Sequence, residues 1–210
     1  ISNNVGNGIH NIGSLINYGT ITVENSSDTG IFNGGTLTNY GTITVENSSG
    51  TGIYNGDSLT NNATAQIIIS NTGGIGIGNF GTIINNADGM ITVSNTVGIG
   101  IDNGINNDND GNLTNYGTIT VENSSGTGID NDNNLNNYGT LAISNTSNSD
   151  GIVNFGTITN TGILNNYGTF TNTSGTITGT DYIQIQNNST STVTLTNPLQ
   201  NSTNTSNLSA

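Results

Sequence analysis

The chain contains no lysine and no arginine, while its thirteen acidic residues give a formal net charge of −13. Without basic residues a protein has no electrostatic means of holding a phosphate backbone, so we expect no nucleic-acid partner. Cysteine is also absent, so the sequence gives no indication of the redox compartment. No apolar run approaches the length of a transmembrane helix, so we expect no direct insertion into a membrane.

Apolar residues are scarce as well, at 30% of the 210 residues. Low hydrophobicity with charge of one sign usually indicates disorder. Here, however, the few apolar residues recur at fixed places, in a repeat of about 22 residues that is typical of a solenoid. Because each coil of a solenoid buries its apolar residues against the coils above and below, a small apolar content is sufficient for folding.

The repeat is built from one short phrase, an aliphatic residue, any residue and then asparagine. One round consists of Ile31-Phe32-Asn33, Leu37-Thr38-Asn39 and the end of a longer strand, Val45-Glu46-Asn47, before Ile53 begins the next round. Three phrases per round predict three sides. We therefore predict an all-β fold, a single-stranded three-sided parallel β-helix of about 22 residues per coil, and we expect its coil to be right-handed.

The third side reads as a half-buried strand. Along Thr20 to Glu24 polar and apolar residues alternate, which places Ile21 and Val23 inward and the polar residues outward. β-Branched residues dominate this side, as they do in strands generally.

The closing asparagines are predicted to occupy the corners, where asparagine tolerates left-handed backbone geometry. Stacked in register, their amides can bond from coil to coil, as in other stacked-strand structures. The predicted ladders are Asn11, Asn33 and Asn55 at the first corner, Asn17, Asn39 and Asn61 at the second, and Asn25, Asn47 and Asn71 at the third.

The repeat changes at two places. An insertion, residues 106–112, is predicted to project between the first two sides, and after Asn154 the phrases tighten so that a coil needs only about 18 residues. The sequence thus predicts a β-helix over residues 1–178 that narrows towards its C-terminal end. Residues 179–210 form a tail, in which Val193 and Leu195 alternate with threonines like a strand that docks on a neighbouring subunit.

The phrases Asn39-Tyr40-Gly41-Thr42-Ile43 and Gly52-Ile53-Tyr54-Asn55 resemble the repeats of autotransporter passenger domains and of related secreted, pectin-lyase-like β-helices. The resemblance covers roughly residues 1–178. It implies the β-helix fold and an extracellular or cell-surface location. Proteins of these families include adhesins, surface-layer and biofilm proteins, and polysaccharide lyases and hydrolases, so the resemblance implies no single function.

We expect no catalytic activity. The similar polysaccharide lyases use arginine or lysine, and this chain has neither. A glycoside hydrolase needs two carboxylates across a cleft. Asp102 and Asp130, which fall in one column on neighbouring coils, leave that class as a minor alternative.

Calcium is the one cofactor that the sequence suggests. Asn106-x-Asp108-x-Asp110-Gly111 resembles the opening of a calcium-binding loop, although Gly117 stands where such a loop has its closing glutamate. Two interpretations stay open, a calcium site and a plain acidic loop. The candidate metal ligands are Asp102, Asp108, Asp110, Asp130 and Asp132.

Other surface features suggest partners. His10, Phe32 and Tyr54 form an outward column that either stacks internally or binds glycans. Ile68 and Met90 are predicted to be outward apolar residues that make lateral contacts. The Thr-x-Thr faces leave ice binding as a minor alternative. Sequons at one corner make glycosylation possible at Asn25, Asn47, Asn123 and Asn145.

The main functional expectation is a non-catalytic, extracellular structural protein. The chain begins in phase with its repeat, with Ile1 where a coil position is expected, so coils of one molecule are predicted to stack on those of another. Head-to-tail contact of this kind gives open filaments. The alternative is an adhesin, a passenger fragment that binds a glycan or host surface.

Overall fold

The computed structural model describes residues 1–104, 111–144, 150–173, 175–179 and 183–185. These residues wind into a parallel β-solenoid of about seven turns with about 23 residues per turn, and the described part contains no helix. The predicted all-β, three-sided parallel fold is confirmed.

Three eight-stranded parallel sheets form the sides. The first sheet contains Ile9–Asn11, Ile31–Asn33, Ile53–Asn55, Ile77–Asn79, Ile101–Asn103, Ile129–Asn131, Asp150–Asn154 and Thr169–Asn172. The second contains Ser14–Asn17, Thr36–Asn39, Ser58–Asn61, Thr82–Asn85, Asn112–Asn115, Asn134–Asn137, Thr157–Asn160 and Thr176–Thr178. The third contains Thr20–Glu24, Thr42–Glu46, Gln66–Ser70, Met90–Ser94, Thr118–Glu122, Thr140–Ser144, Ile163–Asn166 and Ile183–Ile185. Each sheet takes every third strand, so hydrogen-bonded neighbours are one coil apart.

The core consists of aliphatic columns that run along the solenoid. Ile31 pairs with Ile53 on the first sheet, and Leu37 pairs with Leu59 on the second. These side chains are at most 1% exposed. One such residue on each of the first two sides and two on the third are buried in a coil. Because full burial of a Val, Ile or Leu side chain contributes about 1.5–3 kcal/mol, they stabilise a coil of otherwise polar composition.

The third sheet alternates as predicted. In Thr42–Glu46 the side chains of Ile43 and Val45 are buried, while Thr42, Thr44 and Glu46 are half-buried on the outer face.

A column of glycines also faces the core. Gly30, Gly52, Gly76 and Gly100 precede the first-sheet strands and are buried. A Cβ atom on Gly52 would lie 2.5 Å from Cγ2 of Ile69 and 2.6 Å from the carbonyl oxygen of Gly76. These glycines therefore let the third-side Val and Ile residues fill the core.

The irregular coils lie close to where the sequence predicts them, but Asn112, the last residue of the predicted insertion, begins a strand of the second sheet. Longer coils place their extra residues at the second corner, where Thr64 and Asp88 have φ angles of 64° and 62°. The insertion leaves the first corner at Gly104 and returns at Gly111. The narrowing is confirmed, because Asn154 and Asn172 bond to each other only 18 residues apart.

The solenoid continues beyond the predicted boundary at residue 178, because Ile183–Ile185 pairs with Ile163–Asn166. The predicted docking residues Val193 and Leu195 lie outside the described residues.

Candidate functional site

Two continuous ladders of buried asparagine amides hold the coils together. In each ladder Nδ2 of one asparagine donates to Oδ1 of the asparagine on the next coil, at 2.7–2.9 Å. The first-corner ladder is Asn11, Asn33, Asn55, Asn79, Asn103, Asn131, Asn154 and Asn172. The second-corner ladder is Asn17, Asn39, Asn61, Asn85, Asn115, Asn137 and Asn160.

Most ladder amides also bond to the backbone of the next coil, whereas Asn154, Asn160 and Asn172 at the C-terminal end bond to the backbone of their own coil. Nδ2 of Asn55 donates to Oδ1 of Asn79 at 2.8 Å and to the carbonyl oxygen of Thr82 at 3.1 Å, while Oδ1 of Asn55 accepts from Nδ2 of Asn33 at 2.8 Å. Asn55 is 0% exposed, so these bonds replace all of its contact with water.

The predicted third-corner ladder needs correction. Asn25, Asn47 and Asn71 have φ angles of 53–54°, and their side chains are exposed instead of buried. Asn25 donates to Asn3 at 3.3 Å, an exposed pair. These residues therefore provide the left-handed turn that asparagine tolerates, while the buried amides belong to the other two corners.

An aromatic column lies on the outer face of the first sheet. The ring centroids of His10 and Phe32 are 4.7 Å apart, those of Phe32 and Tyr54 are 4.9 Å apart, and those of Tyr54 and Phe80 are 4.8 Å apart. The outward column that the sequence predicts is confirmed. Because neighbouring rings cover one another's faces, the column presents mainly ring edges to solvent.

The fourth ring was missed by sequence reasoning. The register places Gly78, not Phe80, in the column beside Tyr54. A Cβ on Gly78 would lie 3.4 Å from the Phe80 ring, so this ring leans into the place that the glycine leaves. Tyr54-Asn55-Gly56 has the order aromatic-Asn-Gly, and one coil later Gly78-Asn79-Phe80 has the reverse order. This reversal is the sequence signal that indicates Phe80 as the fourth ring.

Further rings stack at the second corner. Tyr18 lies 4.9 Å from Tyr40, with 5° between the ring planes, and Tyr116 lies 5.0 Å from Tyr138. All four are exposed by 44% or more, so this column is a solvent-facing edge of the solenoid.

Acidic residues continue the first-sheet column beyond Gly78. Asp102 pairs in register with Gly78 on one side and with Asp130 on the other, as the sequence predicts. Asp102 is only 7% exposed, and Asp130 is half-buried with its Oδ1 atom lacking a hydrogen-bond partner. Two aspartates therefore occupy neighbouring positions of one column, with limited access to water.

Both carboxyls titrate above their ordinary range. Desolvation by burial, followed by the charges of Asp130 and Asp132, raises the pKa of Asp102 from 3.8 to about 7. Desolvation, followed by the charges of Asp132 and Asp150, raises the pKa of Asp130 to about 6. The chain contains no lysine or arginine that could neutralise them.

A pH dependence of stability follows from Asp102. Since its folded pKa lies above its unfolded value, the folded protein holds a proton that the unfolded chain releases between about pH 4 and pH 7, and stability falls as pH rises through that window. We expect the melting temperature to be a few degrees lower at pH 8 than at pH 5. Asp102→Asn, which is always neutral, should raise it at pH 8 and flatten the profile.

The control for this pH profile is Asp57→Asn, which changes an exposed acid. Its profile should match that of the wild type. A wild-type melting temperature that does not fall between pH 5 and pH 8 would contradict the assignment.

The other predicted metal ligands divide into two groups. Asp132 is near enough to influence both titrations, whereas Asp108 and Asp110 lie outside the described residues. Within the described part, no three His, Cys, Asp or Glu side chains converge as a metal site. The calcium loop suggested by the sequence stays a prediction.

The outer face of the third sheet presents the predicted threonines and two apolar residues. Ile68 is half-buried between Thr44 and Thr92, and Met90 is 46% exposed on the next coil. Both point outward as the alternation predicts, and their role in lateral contacts stays a prediction.

The outer face of the second sheet is a feature that sequence reasoning missed. Its outward residues are Ser, Thr, Asn and Ile only, for example Thr36, Thr38, Thr82 and Ile84, so this face has no charge. The acidic residues are thus confined to the other surfaces of the described solenoid.

The predicted glycosylation corner is accessible. Asn25, Asn47 and Asn123 are exposed, and Asn145 lies outside the described residues. Asn25 and Asn47 occupy neighbouring coils, which are only about 4.8 Å apart. Bulky glycans cannot occupy every sequon of such a row.

Comparison with known protein families, curated proteins and solved structures finds no match for this chain. Among the described residues, no helix is long and apolar enough to cross a membrane.

Proposed function

We propose that this chain is a non-catalytic structural protein of the cell surface or extracellular matrix, in which β-solenoids stack head to tail into filaments. The observation that supports this proposal most directly is the polarity of the two amide ladders. Between the ends of each ladder, every asparagine donates towards the C-terminal coil and accepts from the N-terminal coil. One face of each coil therefore offers amide donors and the other offers amide acceptors.

This polarity makes coil faces complementary to one another in one orientation. The acceptor face of any coil fits the donor face of another, whereas two equal faces would oppose donor to donor or acceptor to acceptor. The parallel strand edges impose the same direction. A contact between two unlike faces is heterologous and builds open filaments instead of closed dimers.

The extracellular location is proposed on chemical grounds. A chain without lysine and arginine offers no cleavage site to trypsin-like proteases. Buried amides and tight coil stacking make the backbone of the described solenoid a poor substrate for other proteases as well, because cleavage requires local unfolding. The resemblance to secreted β-helices points in the same direction.

Electron microscopy tests the filament. We expect the purified protein to form unbranched fibres, with a fibre-diffraction reflection at about 4.8 Å along the axis because strands stack in that direction. Deletion of residues 191–210 should abolish assembly if the tail docks on a neighbour. A control substitution on the solenoid side, Asp57→Asn, should leave the fibres intact. Dispersed monomers at millimolar concentration would contradict the proposal.

The second candidate function is an adhesin, a passenger-like fragment that binds a glycan or host surface. The aromatic column favours it, because rings on a rigid face are common in binding surfaces. Oligosaccharide binding that is lost in Phe32→Ala but kept in Tyr116→Ala would support this alternative. Since the rings are stacked with their faces covered, we rank it second.

A further inference from the structure

The Asp102–Asp130 pair forms a closed, unneutralised acidic site in the wall of the solenoid. The two residues are register partners on neighbouring strands of the first sheet, so their Cα atoms are separated by about 4.8 Å. Asp132 and Asp150 are near enough to raise the pKa of Asp130 further. Four acids therefore act on one region of the surface.

The hydrogen-bonding state of the pair distinguishes it from an ordinary acidic surface. Asp102 is 7% exposed. Oδ1 of Asp130 is buried and has no hydrogen-bond partner. Buried carboxylate oxygens are normally hydrogen-bonded or bound to a cation, because desolvation without a partner costs several kcal/mol.

No cationic side chain of the protein neutralises the pair. The chain has no lysine or arginine, and its single histidine, His10, lies on the first coil of the same sheet, four strands before Asp102. The neighbour on the N-terminal side is Gly78, whose place is filled by the apolar ring of Phe80. A positive charge must therefore come from the solution.

We propose that Asp102 and Asp130 bind a Ca²⁺ ion between two coils, with water completing its coordination. Carboxylate oxygens are the ligands that Ca²⁺ prefers, and its flexible coordination accepts a site with few protein ligands, whereas Mg²⁺ demands near-ideal octahedral geometry. Because the proposed site has only two carboxylates, the affinity belongs to the weak range of extracellular calcium modules, with a Kd of about 0.1–1 mM. The ion links two coils and stabilises the wall of the solenoid near the first corner, where Gly104 lies.

This inference is independent of the filament, because it concerns contacts within one molecule. The two can fail separately: a monomer that binds Ca²⁺ refutes only the filament, and fibres that ignore Ca²⁺ refute only the site.

Thermal unfolding with added ions tests the site. In 5 mM CaCl₂ at pH 7.5 we expect the melting temperature to rise by about 3–6 °C, as mass action predicts for a ligand at roughly ten times its Kd. NaCl at the same ionic strength should give less than about a third of that rise, because screening of surface charge is not specific. Asp102→Asn and Asp130→Asn should each remove the calcium-specific part.

Glu46→Gln is the matched control. Glu46 stacks on Glu24 in the same kind of register on the third sheet, but it is half-buried on an outer face. Its calcium response should equal that of the wild type. No shift in the wild type, an equal shift with NaCl, or an undiminished shift in both aspartate variants would each overturn the proposal.

Discussion

Replacing Asn55 with aspartate is expected to destabilise the solenoid by about 2–6 kcal/mol, although the two side chains have almost the same shape. Nδ2 of Asn55 donates to Oδ1 of Asn79 and to the carbonyl oxygen of Thr82. In Asn55→Asp an oxygen faces these two acceptors, and each buried acceptor without a donor costs about 1–3 kcal/mol. The loss is a large part of a typical stability of 5–15 kcal/mol.

The control uses the same substitution one corner away. Asn71 is exposed, and its φ of 54° is a conformation that aspartate also tolerates. Asn71→Asp should therefore change the free energy of unfolding by no more than about 0.5 kcal/mol. Urea denaturation followed by circular dichroism measures both variants. Equal effects of the two substitutions would show that the buried ladder has no special role.

A single methyl group added to the glycine column is expected to destabilise the solenoid strongly. In Gly52→Ala the new Cβ would lie 2.5 Å from Cγ2 of Ile69 and 2.6 Å from the carbonyl oxygen of Gly76. That oxygen accepts the backbone N–H of Ile53 at 2.9 Å, so relief of the clash must weaken a bond between coils. We expect a loss of about 3 kcal/mol, at the upper end of the overpacking range.

Gly13→Ala is the matched control, because no atom lies within 4 Å of its added Cβ. This variant should be neutral or slightly more stable, since alanine reduces the entropy of the unfolded chain. The same denaturation experiment compares the two. If Gly52→Ala were as stable as Gly13→Ala, the claim that the glycine column packs tightly against the third-side core residues would be contradicted.

The period of the phrases made the fold predictable. Along each strand the side chains alternate between the two faces, and each coil contains three aliphatic-x-Asn phrases. Only one register between coils therefore places all the aliphatic residues inside. The same arithmetic located the 18-residue coil after Asn154 and placed the insertion at residues 106–112, whereas the described chain already returns at Gly111 and Asn112 begins a strand. Departures from a strict repeat are informative because they must be accommodated at corners.

The roles of the corner asparagines were not predictable from the phrase alone. In Ile53-Tyr54-Asn55 the alternation continues and the amide points inward, whereas in Val45-Glu46-Asn47 a left-handed φ turns it outward. Both phrases read aliphatic-x-Asn. The distinguishing signal is the next residue, since Ser48 at the third corner is 1% exposed and takes the inward place that a ladder amide holds elsewhere.

The candidate site was predictable only in part. Shared column positions brought Asp102 and Asp130 together, because parallel register is fixed by the repeat. The burial of Asp102 was not predictable, since other side chains at equivalent positions are half-buried, as in Tyr54 and Asp130, or exposed, as in His10.

Hydrogen exchange of the asparagine side-chain amides, measured by NMR, tests the central claim that buried amide ladders hold the coils together. The account predicts that the Nδ2 protons of Asn55 and Asn79 exchange orders of magnitude more slowly than those of Asn47 and Asn71, because the former exchange only when coils separate. Equal, rapid exchange in both groups would contradict it.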